Sequence, residues 1–315
     1  MELQTRIPLQ PAQNRIDYGS EILLLGSCFT ENIGQKLSFY KFRNVQNPFG
    51  VLFQPIAIER LVARARRKAY FTSEDLVAHN KLWHCLEAHS DLSGTDAPTV
   101  VTGLNAALDS LRNSIENATH IVLTLGTAWV YEYLESGKLV ANCHKIPQSQ
   151  FKKRLLTTAE ILESLQRTFQ HISEVNPRAT IVLTVSPVRH IKNGFAENSL
   201  SKAHLLAALH EAVGQGDKLH YFPSYEIMMD ELRDYRFYAA DMLHPNQTAI
   251  DYIWEKFTTV WIDPNTESLR KEIATLQLGL RHRPLHPESE AHLAFLKNLH
   301  QKIADLEKRF PHISF

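Results

Sequence analysis

Ile22-Leu23-Leu24-Leu25-Gly26-Ser27-Cys28-Phe29-Thr30 is an apolar run that ends in Gly-Ser and passes directly into helix-forming sequence. Four consecutive apolar residues bounded in this way read as a strand buried on both faces, the habit of a parallel sheet. Gly26 permits a sharp exit from that strand, and residues 31–39 supply a following helix. Ser27 is thereby expected at the strand's carboxyl edge, where open α/β sheets bind ligands and a helix N-terminus offers unpaired N–H groups. A serine there is a candidate nucleophile. Ser27 or Thr30 would equally suit a helix N-cap, and this segment alone leaves both readings open.

Further strand-like runs at residues 121–125, 181–185 and 219–222 alternate with helix-like stretches at 55–68, 100–118, 158–175, 199–214 and 249–261. That alternation predicts an α/β fold with a parallel sheet covered on both faces. Residues 71–93, rich in histidine and aromatic residues, read as an insertion over the sheet edge. Trp83, His84 and His89 within it either line a cleft or pack as an aromatic core. Beyond Asp263-Pro264 the chain becomes charged and helical, over 267–280 and 287–310. Leu293, Leu296, Leu299, Ile303 and Leu306 form one apolar stripe there, which must be covered. It folds back on the domain, pairs with Leu269, Ile273, Leu276 and Leu280 as a helical hairpin, or meets a second copy in a homodimer.

Asp241-Met242-Leu243-His244-Pro245-Asn246 stands at a helix entrance far along the chain. Serine hydrolysis needs an imidazole to accept the hydroxyl proton and a carboxylate to hold that imidazole in the right tautomer. An Asp-x-x-His turn can supply both, although capping by Asp241 and partial burial of His244 explain the same residues. Ser186-Pro187-Val188-Arg189-His190 follows another strand, so Arg189 and His190 are expected on the same sheet edge as Ser27. The Arg189 fork suits a substrate carboxylate, sulfate or phosphate, or else an internal acid. His190 is a rival to His244 as base.

Taken together, Gly26-Ser27-Cys28-Phe29 and Asp241-x-x-His244-Pro245 resemble the GSCFA family, which belongs among the SGNH/GDSL-like hydrolases. The likeness extends through Asn47-Pro48-Phe49-Gly50, Leu125-Gly126-Thr127-Ala128-Trp129, Asn142-Cys143-His144-Lys145, Ser186-Pro187-Val188-Arg189-His190 and Tyr235-Arg236-Phe237-Tyr238, across roughly residues 5–262. The resemblance implies a three-layer α/β/α sandwich with a parallel central sheet, SGNH/flavodoxin-like, over residues 1–262. Residues 263–315 are then a C-terminal helical appendage. It also implies a serine esterase with Ser27 as nucleophile, His244 as base and Asp241 as orienting carboxylate.

The SGNH pattern places an oxyanion-hole glycine at Gly50, next to Asn47. It departs at its third block, where Gly126-Thr127-Ala128 replaces the usual Gly-x-Asn. One oxyanion donor is worth about 2.7–4 kcal/mol in the transition state, so another group must supply it. Asn142 is the first choice, in the short polar segment with His144 that follows a hairpin at residues 135–138. The Thr127 hydroxyl and the N–H groups of Ser27 and Gly50 are the others.

Composition narrows the function. Lysine plus arginine equals aspartate plus glutamate at 34 each, so no basic field draws the chain to nucleic acid. Three cysteines and sixteen scattered histidines show neither a disulfide framework nor zinc spacing. No metal or cofactor is expected, and no membrane span or signal segment is read, which points to the cytoplasm. Cys28 is a rival nucleophile with a stronger intrinsic thiolate. The expected substrate is a small-molecule or carbohydrate ester. The alternative is a catalytically weak protein that binds glycans or acyl groups, which the missing donor favours.

Overall fold

The computed structural model describes residues 4–315. In chain order, β1 (Glu21–Gly26) leads through α1 (Cys28–Phe39) to β2 (Arg43–Gln46) and α2 (Pro55–Arg67). A hairpin of β3 (Leu76–His79) and β4 (Leu82–Cys85) precedes α3 (Ala97–Asn117) and β5 (His120–Leu125). Next come β6 (Trp129–Tyr133), β7 (Lys138–Val140), β8 (Phe151–Leu155), α4 (Thr158–Val175), β9 (Thr180–Val185) and α5 (Phe195–Val213). The chain ends with β10 (Leu219–Tyr221), the short α6 (Ser224–Glu226), α7 (Gln247–Trp261), α8 (Glu267–Arg281) and α9 (Glu290–Arg309).

The central sheet runs β10-β9-β5-β1-β2, and all its paired strands are parallel. Successive side chains of a strand point to opposite faces, and the two faces bury different partners. Leu23, Leu25, Ile121, Leu123, Ile181 and Leu183 join Leu61, Leu108, Leu165 and Leu205 from α2, α3, α4 and α5. Ile22, Leu24, Val122 and Val182 pack instead with Ile33 and Leu37 of α1 and Ile253 and Phe257 of α7. Because both faces are covered, the strands read in sequence as unbroken apolar runs. The α/β class, the parallel core sheet and the helical C-terminal extension all follow the expectation.

Several elements differ from it in detail. β2 has the half-exposed sequence Arg-Asn-Val-Gln, which carries no apolar run to announce a strand. It lies at one edge of the sheet, where Arg43 pairs with Glu21 at 3.0 Å and Asn44 donates to the Ser38 hydroxyl at 3.0 Å. The opposite edge, β10, has 3 residues. β6, β7 and β8 build a separate antiparallel sheet, of which only the 135–138 turn was legible. α3 starts at Ala97 because Asp96 caps it, accepting from Thr99 N at 2.9 Å.

The tail is bound into the second core. Ile273 and Leu276 of α8 and Leu299 and Leu306 of α9 are buried with Trp254 and Phe257. Part of the apolar stripe is thus covered within the chain, and Leu293 remains 55% exposed. Among the described residues no helix is long and apolar enough to cross a membrane.

Candidate functional site

The carboxyl ends of β1, β5 and β9 converge on Ser27. Gly26 adopts φ +140°, and a Cβ there would lie 2.1 Å from the Thr124 carbonyl oxygen, so this sharp exit admits only glycine. Ser27 follows in extended conformation and occupies the N-cap position of α1, yet its side chain makes no capping bond. The residue is 0% exposed, and among the described residues its Oγ has no hydrogen-bond partner. A hydroxyl in water would make several such bonds, so this one is desolvated and uncommitted.

The Asp241–His244 turn is formed. Asp241 Oδ1 accepts from the N–H groups of Leu243 at 2.9 Å and His244 at 3.0 Å, while Oδ2 lies 2.6 Å from His244 Nδ1. These bonds, the backbone ones foremost, hold the Asp241 carboxyl down to about 2. A carboxylate on Nδ1 makes Nε2 the proton-accepting nitrogen of neutral His244. No hydrogen bond joins His244 to Ser27. The two loops are tied indirectly, since Arg189 N–H donates to the Leu243 carbonyl at 3.2 Å.

A second imidazole, His190, packs with Ser27 around Gly126. A Cβ on Gly126 would stand 2.9 Å from His190 Nε2, 3.2 Å from Phe53 Cδ1 and 3.3 Å from Ser27 Cβ, so Gly126 lets these three groups meet. His190 Nε2 is buried without a partner, and the ring lies edge-on to Phe53 at 5.3 Å. Burial first, then the charges of Lys202 and His244, push His190 down to about 3. It is therefore a neutral imidazole beside Gly126.

Beneath the loops lies Lys202 of α5, 1% exposed, whose Nζ donates to the carbonyls of Gly126 at 2.8 Å and Ser186 at 2.7 Å. Sequence reading passed over Lys202 and Phe53. The signal for Lys202 was present, because it falls in phase with the buried Asn198, Leu205 and Leu209 of one helix face. Cys28 is held as a thiol, since burial and then Glu31 raise its pKa.

The oxyanion candidates separate clearly. Ser27 N–H donates to the Thr124 carbonyl at 3.0 Å and Gly50 N–H to the Asn47 carbonyl at 2.7 Å, so both are engaged in backbone turns. The Thr127 hydroxyl bonds the Ser201 hydroxyl at 3.1 Å and accepts from Trp129 N at 3.1 Å. Asn142 Oδ1 accepts from His144 N at 2.9 Å, and His144 Nε2 meets the Cys85 carbonyl at 2.8 Å, which fastens both to the inserted hairpin. Asn47 is different. Its Oδ1 accepts from Gly26 N–H at 2.9 Å, which orients the amide, and its buried Nδ2 has no partner among the described residues.

Arg189 opens onto a cleft of about 380 Å³ shared with Tyr225, Arg233, Tyr235 and Tyr238. Its guanidinium lies 4.3 Å from the Tyr238 ring centroid and 5.3 Å from that of Tyr235. Asp234 at the cleft wall is ion-paired with Arg236 at 3.1 Å. In the insertion, His84 Nδ1 bonds the Ser93 hydroxyl at 2.7 Å, and His89 packs against Gly50.

The GSCFA family model matches residues 21–257, the span that holds every one of these groups. The chain belongs to the GSCFA family. A second model, the C-terminal domain of GSCFA domain proteins, matches residues 273–315. No curated protein matches. Among solved structures, the chain is similar to a carbohydrate esterase family 3 protein from Talaromyces cellulolyticus, at 8% identity over 80% of this chain and 99% of that one, with a TM-score of 0.37. It is also similar to an acetyl esterase mutant with acetate ion, at 9% identity over 81% and 99%, TM-score 0.35. A third likeness is to an acetyl xylan esterase from the rumen bacterium Butyrivibrio proteoclasticus, at 10% identity over 82% and 67%, TM-score 0.32. Likenesses this loose carry no argument about chemistry.

Proposed function

We propose that this GSCFA protein is a serine esterase on an SGNH-like scaffold, with residues 1–262 as the hydrolase domain and 263–315 as its helical appendage. The observation that carries the reading is the desolvated, uncommitted Ser27 hydroxyl at the end of the central strand. The Asp241–His244 pair at 2.6 Å on a loop tied to the same edge supports it. Ser27 Oγ attacks the ester carbonyl as its proton passes to His244 Nε2. The alkoxide leaves with that proton, and water then releases the acyl group from Ser27. Asn47 Nδ2 supplies the oxyanion donor in place of the absent Gly-x-Asn amide. Arg189 and the tyrosines around it bind the part of the substrate beyond the ester.

Since Ser27 and His244 share no hydrogen bond, attack requires the two loops to close on bound substrate. That same separation favours one other reading, a binding protein for acylated ligands that turns them over weakly. Fluorophosphonate labelling decides between them. The serine attacks phosphorus, fluoride leaves, and the adduct is located by mass spectrometry. Labelling at Ser27, abolished in Ser27→Ala and strongly slowed in His244→Ala, is expected. A folded protein that takes no label overturns the esterase reading.

A further inference from the structure

Lys202 is the one lysine fully buried among the described residues, and the mechanism above does not use it. Lysine is almost never fully buried unless paired, and among the described residues no carboxylate pairs with Lys202. Its two hydrogen bonds go to the carbonyls of Gly126 and Ser186, which directly follow β5 and β9 at the sheet's carboxyl edge. An ammonium has three donors, so its bonding is incomplete. Gly126 is also the residue on which an added Cβ would crowd both Ser27 and His190.

We propose that Lys202 is a positioning residue whose buried positive charge, without a counter-ion in the resting protein, is balanced by the anion that forms on the substrate carbonyl at Ser27. The inference rests on the esterase reading. Lys202 adds a charge to the donor that Asn47 Nδ2 offers the oxyanion. A fixed charge in a low-dielectric site acts without reorganisation at the moment of reaction. The arrangement has a second effect. The same charge disfavours a proton on His190, so the imidazole beside Gly126 stays neutral and does not compensate Lys202.

The charge is conditional. Burial pushes Lys202 down to about 7, a shift that Cys28 opposes only when it is ionised. The groups facing it are Cys28 on α1, His190 after β9 and the Tyr225 ring of α6, at 5.7 Å. None carries a permanent negative charge. Ester turnover therefore depends on protonated Lys202 and declines as pH rises above about 7.

The test compares wild type with Lys202→Met, which keeps volume, and Lys202→Gln, which keeps a donor for the carbonyls without the charge. Turnover of 4-nitrophenyl acetate is expected to fall at least about tenfold in kcat with KM little changed. The alkaline limb should vanish in both variants. A purely structural lysine would leave the pH profile intact and be rescued by glutamine. If neither variant folds, 13C-lysine NMR of the wild-type protein with phenylboronic acid gives the answer. Boron bonds Ser27 Oγ and becomes tetrahedral and anionic as the proton passes to His244. The Lys202 Cε titration should then move to higher pH, and an unmoved titration in the bound form overturns the inference. Wild type that labels at Ser27 while both variants keep its rate and profile overturns this inference alone. Wild type that neither labels nor binds the boronate overturns the esterase reading and this inference with it.

Discussion

Asn47→Asp is the most discriminating perturbation of the oxyanion site. Asn47 sits at φ +42°, a left-handed conformation that asparagine and aspartate tolerate better than other side chains. Its Oδ1 holds Gly26 N–H at 2.9 Å, and Nδ2 is the buried, unpartnered donor. Aspartate retains the acceptor and the conformation, and in its ionised form, reached by assaying above the carboxyl's titration, it has no donor to offer the oxyanion. Loss of one oxyanion donor removes about 2.7–4 kcal/mol from the transition state, or about 10²–10³ in rate. Alanine is a poorer probe. It leaves Gly26 N–H unsatisfied at a cost of about 1–3 kcal/mol and adds about 1–2 kcal/mol for a left-handed residue. The assay is kcat on 4-nitrophenyl acetate together with the fluorophosphonate labelling rate, with a thermal melt to certify folding. Asn142→Ala is the control, expected within tenfold of wild type because Asn142 Oδ1 is bonded to His144 N. A folded Asn47→Asp enzyme at wild-type rate would refute the assignment of Nδ2.

Gly126→Ala places a methyl 2.9 Å from His190 Nε2 and 3.3 Å from Ser27 Cβ. It should cost about 1–3 kcal/mol by overpacking and slow Ser27 labelling; a melt and labelling rate like wild type would show that His190 and Ser27 do not crowd Gly126. Acid should destabilise the fold through its buried neutral imidazoles. His190 and His144 are pushed from 6.5 to about 3 and about 4, so below about pH 6.5 the unfolded chain binds more protons and stability falls as pH drops. Urea midpoints that do not fall between pH 7.5 and 4.5 would contradict this. Leu276→Ala, at a residue 2% exposed where the tail meets α7, should lose about 2–5 kcal/mol in urea unfolding. A loss below 1 kcal/mol would mean the tail is only loosely attached.

The central strands were legible because burial on both faces forces continuous apolar runs, and residues 22–25, 121–125 and 181–185 carry them. β2 was not, because an edge strand with Arg43 and Asn44 at the surface has no hydrophobic period to read. Helix starts at Ala97 and Phe195 were missed by a few residues. Their first turns carry polar or helix-start residues, Pro98 and Thr99 in one and Glu197 and Asn198 in the other, so the apolar pattern begins late. In the site, spacing alone placed Asp241 beside His244, since a three-residue turn is local. The approach of His190 to Ser27, the release of Asn47 Nδ2 and the burial of Lys202 arise from contacts between distant segments. Their chemistry depends on which hydrogen bonds are already taken, and no single stretch of sequence states that.

The two edges of the sheet bear on how the protein behaves at high concentration. An open strand edge is a template for another chain, and long flat edges are where sheets recruit one another. Here one edge is 4 residues long, its Arg43 tethered to Glu21 and its Asn44 to Ser38, and the other is 3 residues long. Neither offers a ladder long enough to seed growth of the sheet. Among apolar surfaces, the exposed Leu293 and Phe295 of α9 stand apart from these edges.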